Sequence, residues 1–334
     1  VGALTRLEQR LVDSHALEGR LGEVFGWRLA AMLGGWALVP RRDDWHDAPS
    51  EKVALVPWSE THDAPTSDVV VVHLQKGREA TRDGVWRAWS ALTEGGRLIL
   101  AGGNDLGIKT AVKRLTEELG QAPEVIATGG RGRAAAFIRN EQAPPAPPTP
   151  KTFESHGLRF ATPPGVFSSG ELDPGSALLL EHLSDVDPAE SIFDPGCGCG
   201  VLALTALARW PTARAVLADV DARAVTAAQA NSAAAGMTDR ARCLWWDARV
   251  DPPPMRGTCD LAVVNPPFHG GGTAVDLAPA RAVFQAVGTV LRPGGRALIV
   301  ANRTLPWERD LAAIGSVRML RQTHDYKVML LSKG

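Results

Sequence analysis

Two short runs in the C-terminal half of this 334-residue chain carry residue types that can do chemistry together. The first is Asp194-Pro195-Gly196-Cys197-Gly198-Cys199-Gly200, an acid followed by three alternating glycines. With no Cβ in the way, glycine lets bare backbone come close to a ligand, and at the carboxyl end of a strand such a loop can cradle a nucleoside-type cofactor. The second run is Asn265-Pro266-Pro267-Phe268. Two prolines stiffen that turn, so the Asn265 amide oxygen and the Pro266 carbonyl become two fixed hydrogen-bond acceptors. Held by both N–H bonds, a conjugated exocyclic amine can turn tetrahedral at nitrogen as an electrophile arrives in line. Phe268 would stack on the flat face of that acceptor and exclude water. The proton leaves after transfer, so no strong general base is required, and His269 could relay it or simply face solvent.

The choice of cofactor turns on details. A dinucleotide fingerprint wants Gly or Ala where Val201 stands. Asp194 would sit badly beside a pyrophosphate yet suits a cationic amino-acid end, which favours S-adenosylmethionine. The next strand, 215 to 218, ends in Asp219, placed to accept from both ribose hydroxyls, with Val220 beside it. Asp221 reads instead as the N-cap of the helix that starts at Ala222. A third strand closes at Leu244-Trp245-Trp246-Asp247. There Asp247 could accept from the adenine amino group while Trp246 or Ala248 lines the ring, or Asp247 could be a turn acid. The expected cofactor set is therefore Asp194, Gly196, Cys197, Gly198, Gly200, Asp219, Val220, Trp246, Asp247 and Asn265. No metal is expected.

Strands must carry these residues and helices must cover them. Leu261–Val264, just before Asn265, and Val69–Val72 in the other half are continuous apolar runs, the pattern of parallel strands covered on both faces. The halves repeat. Ser67 to Lys76 can be laid on Cys259 to Phe268 so that Asp68 matches Asp260 and His73 falls on Asn265, and Gly95-Gly96-Arg97 matches Gly294-Gly295-Arg296. In both, an apolar helical stretch precedes the glycine pair and a buried strand follows. The first half has no Gly-x-Gly-x-Gly; its opening, Leu29 to Val39, holds only Gly34-Gly35. A duplicated α/β unit is expected, with the cofactor in the second copy alone. Between the copies lie Pro144, Pro145, Pro147, Pro148 and Pro150, an extended semi-rigid spacer. The expected organisation is a degenerate domain at 1–142, a linker at 143–151 and a catalytic domain at 152–334.

Composition narrows the remaining classes. With 36 basic and 37 acidic side chains the net charge is −1, so a nucleic-acid partner must be held by a local patch. Arg131, Arg133 and Arg139 are candidates, as are Lys109, Lys113 and Arg114. Gly102 to Thr110 has the outline of a phosphate loop, but Ile108 separates Gly107 from Lys109, so no ATP site is expected. No apolar run nears the roughly 18 residues needed to span a bilayer. The four cysteines lack the paired spacing of a disulfide framework or zinc site. The given sequence opens without a charged-then-apolar leader, so a cytoplasmic location is expected.

Several runs together carry a family resemblance: Pro164-Gly165-Val166-Phe167-Ser168, Leu172-Asp173 with Gly175-Ser176 and Leu178-Leu179-Leu180, 194 to 200, and 265 to 269. Val300-Ala301-Asn302, Leu305-Pro306 and Tyr326-Lys327-Val328 extend it over nearly the whole chain. In these the sequence resembles the bacterial ribosomal RNA guanine-N2 methyltransferases of the RsmC/RlmG type. The resemblance implies an α/β chain of two tandem Rossmann-like class I methyltransferase domains, the N-terminal one degenerate. It implies methylation of the exocyclic N2 of a guanosine in ribosomal RNA, preferably 16S, using S-adenosylmethionine. Phe167, Ser168 and Asp173 would then line the amino-acid end of the cofactor, and Asn265, Pro266, Pro267 and Phe268 would receive the guanine. The expected partner is ribosomal RNA or a ribosomal subunit, met by a monomer away from any membrane. The same chemistry could instead serve adenine N6 or a protein glutamine, or the chain could be a non-catalytic assembly factor. Cys199 replaces the usual Ala or Ser, and Gly270-Gly271-Gly272 leaves substrate closure open.

Overall fold

The computed structural model describes residues 5–58, 64–129, 131–141, 146–168, 170–267 and 276–334. The chain divides into two compact units, Val1–Thr149 and Pro150–Gly334.

In the first unit, α1 (Arg6–Asp13), α2 (Arg28–Leu33), α3 (Arg42–Asp47), α4 (Arg78–Ala91) and α5 (Ile108–Leu119) surround seven strands. These are β1 (Leu21–Val24), β2 (Gly35–Leu38), β3 (Val53–Val56), β4 (Ser67–His73), β5 (Leu92–Gly103), β6 (Glu124–Gly129) and β7 (Gly132–Ile138), in sheet order β3-β2-β1-β4-β5-β7-β6. The second unit opens with the hairpin β8 (Lys151–Ser155) and β9 (Leu158–Thr162). Lys151, placed in the linker by its neighbours in sequence, already pairs with Thr162. Helices α6 (Pro174–Glu181), α7 (Val201–Arg209), α8 (Ala222–Ala234), α9 (Ala278–Val290) and α10 (Glu308–Ala312) follow among seven more strands. These are β10 (Ser191–Pro195), β11 (Arg214–Asp219), β12 (Ala241–Trp245), β13 (Cys259–Val264), β14 (Leu291–Asn302), β15 (Gly315–Gln322) and β16 (Tyr326–Lys333), in order β12-β11-β10-β13-β14-β16-β15.

The two sheets thus have one topology, parallel through five strands with an antiparallel seventh inserted beside the fifth. The period of two in a strand sends alternate residues to opposite faces. Ile192, Leu261, Val263 and Leu298 join one core, and Phe193, Ala262, Val264 and Ile299 the other. Both faces being covered explains why the strands are apolar at every position. The likeness reaches the details. The register slips between β4 and β5 at Ser67/Val69, and between β13 and β14 at Cys259/Leu261, just where Gly95 and Gly294 adopt φ of 75° and 72°. Asp68 accepts from the Arg20 N–H ahead of β1, and Asp260 accepts from the Ser191 N–H that opens β10.

No described helix is long and apolar enough to cross a membrane.

Candidate active site

The glycine loop joins β10 to α7, bent by φ values of 79°, 54° and 89° at Gly196, Gly198 and Gly200, a region open chiefly to glycine. The neighbouring strand holds it. Gly196 N–H and Cys197 N–H donate to the Ala218 carbonyl at 2.7 and 3.1 Å. Gly198 N–H donates to Asp219 Oδ2 at 2.9 Å, and Asp221 N–H donates to Asp219 Oδ1 at 2.9 Å. A Cβ on Gly198 would meet nothing within 4 Å, and one on Gly196 would stand 3.9 Å from the Asn265 carbonyl oxygen. The loop therefore presents bare backbone toward the second motif.

Asp194 sits beneath this loop, fully buried. Its Oδ2 accepts from Ala203 N–H at 3.1 Å, bracing the first turn of α7, while Oδ1 has no partner among the described residues. Burial pushes its carboxyl up to about 7. Its carboxylate reaches the helix rather than a cofactor's cationic end, because the strand alternation turns it inward.

At the tip of β13, Asn265 is half-buried and Pro266 buried. Asn265 Nδ2 donates to Asp173 Oδ2 at 2.9 Å and to Ser176 Oγ at 3.0 Å. Asp173 is the N-cap of α6, where the same Oδ2 accepts from Ser176 N–H at 2.7 Å. One cleft is lined by Phe167, Ser168, Asp173, Ser176, Gly196, Cys197, Gly198 and Asn265, so seven of the expected residues meet there. Phe167 stands 66% exposed at its rim, and Ser168, at φ 54°, donates from Oγ to the Glu171 carbonyl at 2.7 Å. Phe268 and His269 lie outside the described residues. The Tyr326 ring packs against Gly175, and burial together with the charge of Asp173 raises its hydroxyl above the usual range.

Other expected residues are placed differently. Trp246 is 6% exposed, with its ring edge-on to Phe193 at 5.8 Å and its Nε1 donating to the Pro252 carbonyl at 3.0 Å. Its ring thus belongs to the core, and Trp245, whose Nε1 donates to the Val220 carbonyl at 2.9 Å, is the half-buried ring at that strand tip. Asp247 opens a turn: its oxygens accept from Arg249 at 2.6 and 3.0 Å, not from the direction of the cleft. Burial raises the thiols of Cys197, Cys199, Cys243 and Cys259, the last to about 12. They are neutral lining and filling, not nucleophiles.

The model of the family described as "Methyltransferase small domain" matches residues 157–330. Ribosomal RNA small subunit methyltransferase C of Pseudomonas entomophila is 32% identical over 279 residues, covering 80% of each chain. The protein of that name from Pseudomonas paraeruginosa is 35% identical over 277 residues, 77% of each. The chain belongs to this methyltransferase family. The solved T. thermophilus 16S rRNA N2 methyltransferase RsmC, in complex with AdoMet and guanosine, matches at TM-score 0.84 and 27% identity over 100% of this chain and 93% of its own. The two-unit fold of this methyltransferase is accordingly shared along its whole length.

The part matched by the domain model is the unit that holds the glycine loop. Laying the sheet registers on one another sets Glu23 opposite Asp194, Phe25 opposite Gly196, Val39 opposite Asp219 and His73 opposite Asn265. In this methyltransferase's first unit the ribose-type acid is thus replaced by a buried valine. Phe25 holds φ 64° and its ring packs on Gly84 and against Trp58. Glu23, fully buried, accepts from Ala30 N–H at 2.9 Å and pairs with His73 Nε2 at 2.7 Å. Burial lowers the His73 affinity for a proton, but the bond to Glu23 and its charge outweigh this and raise its pKa. Glu8 joins them, the ligand-type atoms of the three lying within 4.8 Å of one another, and is itself engaged in the capping box with Thr5.

Two residues of the methyltransferase site take roles that the sequence runs do not assign to them. Ser176 is hidden in an apolar helical run. Buried Asn231 accepts from Ala161 N–H at 2.8 Å and donates to the carbonyls of Ala161 and Cys199 at 3.0 and 2.9 Å, tying β9 to the glycine loop. Its signal was available: Ala224, Ala227, Ala228 and Asn231 recur at core spacing on α8, and a polar residue there must have buried partners.

Proposed function

We propose that the chain transfers a methyl group from S-adenosylmethionine to the exocyclic N2 of a guanosine in 16S ribosomal RNA. The observation that carries this reading is one cleft lined by both the glycine loop and Asn265. The T. thermophilus relative, named for N2 of a G in 16S rRNA and solved with AdoMet and guanosine, supports it.

The residues fit such a donor. Gly196 and Gly198 leave space that side chains would fill, and Asp219 stands at the tip of β11 bonded to the glycine loop, where a ribose acceptor would be needed. Bound there, the donor supplies an electrophilic sulfonium methyl. The Asn265 amide oxygen and Pro266 carbonyl accept the two N–H bonds of guanine N2, turning its lone pair toward that methyl. Proline at 266 and 267 fixes both acceptors before the base arrives, so little reorganisation accompanies the reaction. Phe268 is assigned the face of the base, and solvent takes the departing proton. We assign the first unit to positioning RNA as a degenerate copy, with Arg131, Arg133, Arg139, Lys109, Lys113 and Arg114 as candidate phosphate contacts. The acting form in this reading is a cytoplasmic monomer.

Incubating the protein with labelled methyl donor and undermodified small ribosomal subunits, then digesting to nucleosides, is expected to yield labelled N2-methylguanosine. Label on adenine N6 or on protein glutamine would move the acceptor, and binding without label would make the chain an assembly factor.

A further inference from the structure

We infer that Asp173 and Ser176 act as a positioning pair that locks the Asn265 side-chain amide with its oxygen toward the acceptor amine; this rests on the function proposed above. An amide can sit in two orientations, one presenting oxygen and the other presenting N–H groups. Only the first can hold an amine by its hydrogens.

The choice is made by an acceptor that has no alternative. An ionised carboxylate can only accept, so whatever faces Asp173 Oδ2 across 2.9 Å must be the Asn265 NH₂. The second hydrogen of that NH₂ goes to Ser176 Oγ at 3.0 Å. Both donors are thereby consumed by α6 residues at the cleft wall, and the amide oxygen is left as the acceptor. The lock is itself held. Asp173 Oδ2 is fixed by Ser176 N–H at 2.7 Å, and Ser176 is 4% exposed. The helix α6 contributes both residues from its N-cap and third position. Pro174 occupies the first turn, where its fixed φ suits helix initiation. Asp173 lines the same cleft as the glycine loop.

The first unit repeats the arrangement with different residues. The third position of α1 is Glu8, and its carboxylate lies by His73, the counterpart of Asn265. The helix ahead of the first strand thus meets the tip of the fourth strand in both copies, and in the second this contact is spent on orienting an amide.

The test uses the full-length protein with undermodified small ribosomal subunits, reading kcat, KM and calorimetric S-adenosylmethionine affinity. Ser176→Ala frees one amide hydrogen and is expected to lower kcat about tenfold, the equivalent of one lost hydrogen bond, with cofactor affinity within about twofold. Asn265→Asp sets two carboxylates face to face and should lower kcat more than about a hundredfold, with activity recovering toward acid pH. In an Asn265→Ala background, Ser176→Ala should cost less than about twofold in kcat, because the amide it orients is already gone, the coupling a double-mutant cycle isolates. Wild-type kcat in Ser176→Ala, or a full tenfold loss from Ser176→Ala in the Asn265→Ala background, overturns the lock. Should Asn265→Asp fail to fold, Ser176→Ala decides alone. A wild-type protein that methylates no guanine N2 overturns the function instead, and the three variants still read the lock on whichever amine is methylated.

Discussion

At the tips of the first and fourth strands, the two units place the same three positions together and use them in opposite ways. In the first, Glu23, His73 and Glu8 converge on one another. In the second, Asp194 turns beneath its loop to Ala203, and Asn265 turns to Asp173 and Ser176. One added methylene lets Glu23 reach across to the fourth strand where Asp194 stops at the helix. An ion pair joining the strand tips fills the gap in the first unit, while Phe25 stands where the second has Gly196. The first still opens onto a cavity of about 440 Å³ lined in part by Glu8, Phe25, Trp27 and His73. What it has lost is not space but the bare backbone and the ribose-type acid. A cleft is therefore a weaker mark of function than the side chains that stay out of it.

The contrast can be broken most severely at its catalytic side. Asn265→Ala is expected to lower kcat by about 10²–10³, the cost of one preorganised acceptor, with cofactor affinity unchanged by calorimetry. If transfer persisted at the wild-type rate, the two acceptor positions would be equally inert. His73→Ala, its counterpart, should leave kcat per folded molecule intact but cost about 3 kcal/mol in urea unfolding, because Glu23 would be buried without its partner. The pairing stabilises below about pH 6.5 and is lost as pH rises through the raised His73 value. The variant should therefore lose that alkaline decline.

A sharper comparison writes the first unit's residue into the second. Asp219→Val, copying Val39, removes the acceptor of Gly198 N–H and is expected to weaken S-adenosylmethionine binding by about 2 kcal/mol, measured by calorimetry. Unchanged affinity would mean that the missing acid does not distinguish the copies. The smallest effect falls on Asp194. Its native carboxyl stays protonated to about pH 7, whereas the unfolded one ionises near 3.8. Between these values the native state holds a proton that the unfolded state lacks, so stability falls as pH rises. Asp194→Asn should flatten that slope and raise the Tm at pH 8 by about 2–4 °C, with little change at pH 4. Parallel pH profiles for wild type and variant would refute a buried, protonated acid.

Much of this was written in local pattern. The apolar runs at Val69 and Leu261, the paired glycine turns and the proline-rich break announce two similar α/β units, since a strand covered on both faces admits few polar residues. Asp219 at a strand tip and Asp221 as a helix cap could be told apart by position, and the bonds from Gly198 and Arg223 follow that division. The tryptophans could not. Trp245 and Trp246 are adjacent, and a one-residue difference in where β12 ends decides which ring enters the core. Asp247 and Asp194 likewise depended on their nearest donors, Arg249 and Ala203, which composition alone does not rank. Ser176 and Asn231 needed three dimensions, because each acts across 89 and 70 or fewer residues of chain respectively.

The slipped register beside the glycine pairs has a further meaning. It lies in the main chain at the ends of β4 and β13 away from His73 and Asn265, and both copies keep it although those two tip residues differ. Backbone ancestry has outlived chemistry here. The N-terminal sheet is accordingly a ready chassis for engineering: a second working pocket could be installed by exchanging side chains and one loop, without redrawing a single strand.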